Sequence, residues 1–141
     1  MNLLKQNTDY GFRIVANLAI NALEKPVSTK VLAEQEDISP LFTAKILQKL
    51  AKFGIVESIM GTAGGFKLKK DSSQISLYEI IQALQGEIIV NKCSPGLCSC
   101  PRQPSCPISS LLWEVEDSII KKFKSISIAD VIKNTACLKN I

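Results

Sequence analysis

ISPLFTAKILQKLAKFGIVESIMGTAGGFKLKK, residues 38–70, changes its hydrophobic period half-way along. Up to Gly54, the residues Phe42, Ile46, Leu47, Leu50 and Phe53 recur at helical spacing and form one apolar stripe. Lys45, Gln48, Lys49 and Lys52 lie toward the other side. Ser39 suits the N-cap, and Pro40 suits the first helical position, where its missing N–H costs nothing. Gly54 is the expected C-terminal stop. Beyond it, IVESIM is strand-like, GTAGG is a turn, and FKLKK alternates apolar with basic, as a two-faced strand does. The glycines suit a hairpin turn that needs positive φ. As a phosphate-binding loop the same stretch has the wrong spacing, lacks a Ser or Thr after Lys67, and joins two strands.

A second short helix precedes this segment. Ser28 and Thr29 are plausible caps for it, and Val31, Leu32 and Ala33 begin it. Helix, turn, helix and β-hairpin is the layout of a winged helix–turn–helix. The expected fold class is therefore mainly α with a small β-hairpin. In that layout the first short helix supports, the second enters a major groove, and the hairpin reaches a minor groove or the backbone. The groove-facing candidates are Leu41, Thr43, Ala44, Lys45, Gln48 and Lys49, with Ser28, Met60 and Gly61 at the edges of the same surface. Lys45 and Gln48 carry the best donors for base edges. Lys49, Lys52, Lys67 and Lys69 are placed to meet phosphates. Residues 38–70 hold six lysines against one acid, Glu57, within a chain of net charge +4. Charge alone fits a phosphate-facing surface and a solvated helix face equally.

The flanks complete the outline. The 141 residues are 46% hydrophobic and 21% charged, enough for a real core and against disorder. No apolar run approaches the roughly 18 residues that span a bilayer. Residues 12–23 are apolar-rich, but Arg13 and Asn17 interrupt them and no cleavage site follows, so they read as a helix and not a signal peptide. A cytoplasmic protein without membrane contact is expected. That first helix, residues 8–23, puts Phe12, Val15, Ala16, Ala19, Ile20 and Leu23 on a buried face, with Thr8 or Asp9 as its cap. Ser76 to Glu79 spells a capping box, and Gly86 ends the helix it opens. From Ile108, apolar residues Leu111, Leu112, Val115, Ile119 and Phe123 recur for about five turns. Such a helix either pairs with its copy in a homodimer, the favoured reading, or packs on its own domain. Ser127 and Asp130 open one last short helix, SIADVIKN. The expected division is residues 1–86, the winged helix; 87–107, a cysteine-rich loop; and 108–141, the dimerisation helix and a short terminal helix.

The loop raises the question of chemistry. CSPGLCSCPRQPSC, residues 93–106, places four of the chain's five cysteines together with three of its six prolines, and there is no histidine anywhere. The prolines and Gly96 forbid regular structure there. A reducing compartment and an odd cysteine count argue against a disulfide framework. Metal binding or redox chemistry remains. Zinc is less suited, because a short C-x-C is not the paired-knuckle spacing. A metal-free thiol switch stays open. A redox enzyme lacks a C-x-x-C at a helix start. Cys137 lies apart and has no assigned role.

Several pieces resemble one family together. They are TDYGFR near the start, ISPLFTAKILQKLAKFGIV, the wing MGTAGGFKLKKD, ISLYEIIQAL before the loop, CPRQPSCP leading into the long helix with Trp113, and SIADVI near the end. In this order they are similar to the bacterial IscR and NsrR regulators of the Rrf-two family, over nearly the whole chain. The resemblance implies a homodimeric transcription regulator on double-stranded DNA with a roughly palindromic operator, and no enzyme. It further implies a 2Fe–2S or 4Fe–4S iron–sulfur cluster held by three loop cysteines and a fourth, non-cysteine ligand, sensing nitric oxide or redox state. Iron–sulfur clusters take thiolates because soft sulfur suits iron. Cys100-Pro101 and Cys106-Pro107 look like the family's last two ligand positions, which makes Cys93 the first. Cys98 could replace Cys100, or both could serve in a fully cysteinyl site. IscR-like members carry a histidine where Ser109 stands. NsrR-like members use an aspartate of the partner's first helix, in a motif similar to NTDYG, and Asp9 occupies that place. The NsrR branch is thus the closer one. At the wing tip, Met60 stands where many relatives have arginine.

Overall fold

The structure, a computed structural model, describes residues 2–94, 96 and 100–138. Six helices and one hairpin follow in the order α1 (Gln6–Asn21), α2 (Thr29–Glu36), α3 (Pro40–Phe53), β1 (Val56–Ile59), β2 (Gly65–Leu68), α4 (Leu77–Gln85), α5 (Pro107–Ser125) and α6 (Ile128–Leu138). Mainly helical with a small hairpin, this is the winged helix–turn–helix layout that the period change at Gly54 implies.

Local chemistry sets most boundaries. The Ser28 hydroxyl accepts from Val31 N and the Ser39 hydroxyl from Phe42 N, each at 3.3 Å, so both short helices start at a side-chain cap. Gly54 ends α3 in the left-handed region at φ 87°. At α4 the capping box closes in both directions: Ser76 Oγ accepts from Glu79 N, and Glu79 accepts from Ser76 N. Burial pushes the Glu79 carboxyl up, but the bonds from Lys70 and Ser76 and the Lys70 charge outweigh it and hold the group below its usual range.

Three expectations fail in whole or in part, each through tertiary packing. First, α1 starts at Gln6 with Lys5 as N-cap and no side-chain cap, so neither Thr8 nor Asp9 caps it. Gln85 of α4 does that work, accepting from Lys5 N at 3.0 Å and from the Thr8 hydroxyl at 2.7 Å. Second, the expected face of α1 holds only in part: Val15 and Ala19 are buried and Phe12 and Ala16 half-buried, but Gly11, Ile14 and Leu18 complete the buried face, while Ile20 is 51% and Leu23 82% exposed. The helix is rotated because Gly11 lies against Leu84 and Ile80 of α4 and because Asn17 and Arg13 face α2, bonding Gln35 and Glu36. Third, Phe53 is half-exposed, beyond the end of the α3 stripe.

The core joins Ile14, Val15 and Leu18 of α1, Leu32 of α2, Ile46, Leu47 and Leu50 of α3, and Ile80 and Leu84 of α4. Fully buried Ile128 of α6 belongs to it as well. The chain returns there because Leu77 N donates to Ile126 O and Ile128 N to Ile75 O, both at 2.9 Å. Thus α6 packs on α1, in the winged-helix core, rather than standing with α5.

The wing is pinned at its base. β1 pairs antiparallel with β2, Val56 opposite Leu68 and Ile59 opposite Gly65. Val27 adds a bridge to Phe66, with N–H···O distances of 2.9 and 2.8 Å in the two directions. A Cβ on Gly65 would lie 2.4 Å from Val27 O, a backbone atom with no room to give. Gly65→Ala is therefore expected to cost about 1–3 kcal/mol. Urea unfolding measures it, and a loss near zero would show that the bridge is not tight.

Candidate nucleic-acid interface and cysteine loop

The exposed side of α3 carries Leu41, Lys45, Gln48, Lys49 and Lys52, with Leu41 70% exposed. Leu41, Lys45 and Gln48 are spaced i, i+4, i+7 and share one face. Thr43 does not join them. It is fully buried, and its hydroxyl donates to Ser39 O at 3.0 Å, so its expected place on the groove-facing side is corrected. The reason is the helix phase: Thr43 lies with Ile46, Leu47 and Leu50 on the core side. Ala44 is half-buried beside the stripe, and Ser28 spends its hydroxyl on the α2 cap. At the wing tip Met60 is 90% exposed, and Gly61 adopts φ 117°, which a side chain would strain. The basic excess is partly internal: Lys67 pairs with Glu57 at 3.4 Å and Lys70 with Glu79 at 2.5 Å. Lys45, Lys49, Lys52 and Lys69 are exposed.

The cysteine loop is organised by α5. Ser109, Trp113 and Glu116 stand at i, i+4, i+7 on one face of that helix. The Ser109 hydroxyl donates to Cys106 O at 2.9 Å. The Trp113 indole N–H donates to Cys93 O. Buried Glu116 accepts from Val90 N at 2.8 Å and from the Ser94 hydroxyl at 2.5 Å. Both ends of the loop are thus tied to one helix face, at the carbonyls of two candidate ligand residues. In the sequence Ser109 stands out only as the residue in place of a histidine and Trp113 only within the family resemblance, and nothing marks Glu116. A glutamate on the polar side of an amphipathic helix looks solvated, and nothing local marks the chain segment that folds over it.

Glu116→Ala leaves Val90 N without its acceptor and the Ser94 hydroxyl with Asn91 O alone, at 3.0 Å, and is expected to cost about 1–3 kcal/mol. Hydrogen exchange at residues 90–94 checks it. Protection unchanged in the variant would mean that the carboxylate does not hold the loop.

Of the candidate ligands, Cys93 and Cys106 are half-buried, Cys100 is exposed, and Cys98 lies outside the described residues. An open concavity of about 510 Å³, lined among others by Gln103, Cys106, Ser109 and Trp113, borders the loop. Three thiol side chains on an irregular loop match the donor chemistry of an iron–sulfur cluster. The described residues contain no group of three or more Cys, Asp or Glu side chains already gathered for one metal ion. Asp9 is exposed in the first turn of α1, where a carboxylate suits the helix dipole. Among the described residues no helix is long and apolar enough to cross a membrane.

A family model described as Rrf2, iron-dependent transcriptional regulator, matches residues 4–134. The chain belongs to the Rrf2 family. Protein rrf2 of Nitratidesulfovibrio vulgaris is 27% identical over 97% of this chain and 92% of its own length. The regulator NsrR of Oceanobacillus iheyensis is 27% identical over 93% of this chain and 90% of its own. IscR of Photorhabdus laumondii is 28% identical over 92% and 78%, so overall identity does not separate the two branches of this Rrf2 protein's kin. Among solved structures, CymR, the global cysteine regulator of B. subtilis, superposes with a TM-score of 0.80 at 25% identity over 95% of this chain and 98% of that one. T. potens IscR does so with a TM-score of 0.74 at 27% identity, covering 94% and 87%. An Rrf2 chain is a transcription regulator and not an enzyme.

Proposed function

We propose that two copies of this Rrf2 chain bind a roughly palindromic operator, and that their cysteine loops hold iron–sulfur clusters whose state sets DNA binding. The observation that carries this reading is the double use of α5. One face ties the backbone of Cys93 and Cys106, while Ile108, Leu111 and Val115 are 62%, 59% and 49% exposed along the same helix. A subunit seam along those residues would bring the partner's surface beside the loop. The ligands are Cys93, Cys100 and Cys106, with Cys98 as substitute for Cys100. Asp9 of the partner subunit is the fourth, since Ser109 is committed to the loop carbonyls and the chain has no histidine. Bound there, the cluster supplies a centre that reacts with nitric oxide or oxidants. The chain's own part is to relay the change. α5 packs on α4, and α4 on both α1 and α3, so a shift of the loop reaches the DNA-reading helix through packed side chains.

Anaerobic purification tests the reading. Brown protein with iron and sulfide, whose DNA affinity changes on cluster loss, is expected. Colourless protein with stoichiometric zinc, or metal-free protein whose DNA affinity follows thiol oxidation, would replace the cluster with one of the two rival switches. The thiol switch draws support from the exposure of Cys100.

A further inference from the structure

We infer that Leu41 reads the 5-methyl group of a thymine in the major groove, so that each operator half-site carries a T·A pair opposite the start of α3. This deepens the DNA-binding part of the proposed function and rests on it. A single exposed leucine means little by itself. Its place gives it meaning: Leu41 is the second residue of α3, two past the Ser39 cap, on the same face as Lys45 and Gln48. In helix–turn–helix docking the N-terminal residues of the second helix contact base edges in the major groove. The position one would otherwise expect to offer a hydroxyl there, Thr43, is turned into the core.

The stripe therefore offers a groove one apolar contact followed by donors. The thymine methyl is the apolar feature of the major groove; guanine O6 and N7 suit the Lys45 ammonium, and adenine N6 and N7 suit the Gln48 amide. The sequence of α3, PLFTAKILQKLAKF, contains no acid, so none of its side chains takes the amino group of cytosine as a carboxylate would. Leu41 to Gln48 spans roughly 10 Å at 1.5 Å per residue, or about three base steps. Thymine, guanine and adenine should thus fall within about four base pairs of each half-site.

The test starts with full-length chain selecting duplexes from a random pool. In the selected duplex, the fixed thymine is replaced by uracil, which lacks only the methyl. Wild-type affinity should fall about 3- to 5-fold per half-site, the scale of one buried methyl group. Leu41→Ala, a change at an exposed position that leaves the core intact, should lose a similar factor on the thymine duplex and show no preference between thymine and uracil. Equal binding of both duplexes by the wild type, or a preference that survives in Leu41→Ala, overturns the thymine contact and leaves the regulator reading standing. A chain that selects no duplex in either its cluster-loaded or its cluster-free form overturns the DNA-binding part of the proposed function.

Discussion

Isolated under nitrogen, the Cys106→Ala chain is expected to retain less than about one-tenth of the iron and acid-labile sulfide of the unsubstituted chain. Cys106 stands where the loop becomes α5, with its carbonyl held by Ser109 at 2.9 Å. The backbone there cannot slide to bring another thiol into its place. Cys93 is comparably fixed through its carbonyl and its N–H, which donates to Asn91 Oδ1 at 3.1 Å, so Cys93→Ala should lose as much. Cys98 and Cys100 stand two residues apart, and either can serve if the other is removed. Single changes there should lose less than the pair together. Asp9→Ala should keep the cluster more weakly and shift its spectrum. Iron and sulfide analysis with absorption spectra measures all of these. A Cys106→Ala chain that stays as brown as its parent would remove the loop as the seat of the cluster.

Aspartate at both Leu111 and Val115 should leave a folded monomer whose operator affinity is lower by about 100-fold or more. In one chain these residues are already 59% and 49% exposed, so two carboxylates there cost the fold little. In a seam between two α5 helices the same carboxylates would be buried against apolar partners without counter-charges, which is strongly unfavourable. The affinity loss follows because two linked reading heads gain avidity that one head lacks. Sedimentation and a DNA titration measure both effects, and circular dichroism confirms the fold. If the double variant still sediments as a dimer, the seam lies elsewhere, for instance at exposed Ile20 and Leu23.

The winged-helix outline was legible because its signals are local. Ser39 and Pro40 start a helix, Gly54 stops it, and the period then changes from helix to strand within a few residues; each acts through bonds to near neighbours. The capping box at Ser76 was readable for the same reason. The face of α1 was legible only in part, through Val15 and Ala19. Its sequence permits two apolar stripes, and the choice between them was made by Gly11 against Leu84 and by Arg13 and Asn17 against Glu36. Gln85, Glu116 and Val27 belong to the same class: each meets its partner from a distant part of the chain, so no spacing in the sequence announces the contact.

For the site, the sequence by itself determined the donor chemistry. It supplied several thiols within one proline-broken loop, a serine in place of histidine, an acid at Asp9 and an acid-free α3. Only the tertiary structure decided which of these groups are available. It turned Thr43 inward, left Leu41 and Met60 bare, and fastened the carbonyls of Cys93 and Cys106 to one side of α5. The physical reason is that residue type fixes what a group can bond, whereas exposure and direction depend on which distant surfaces close over it.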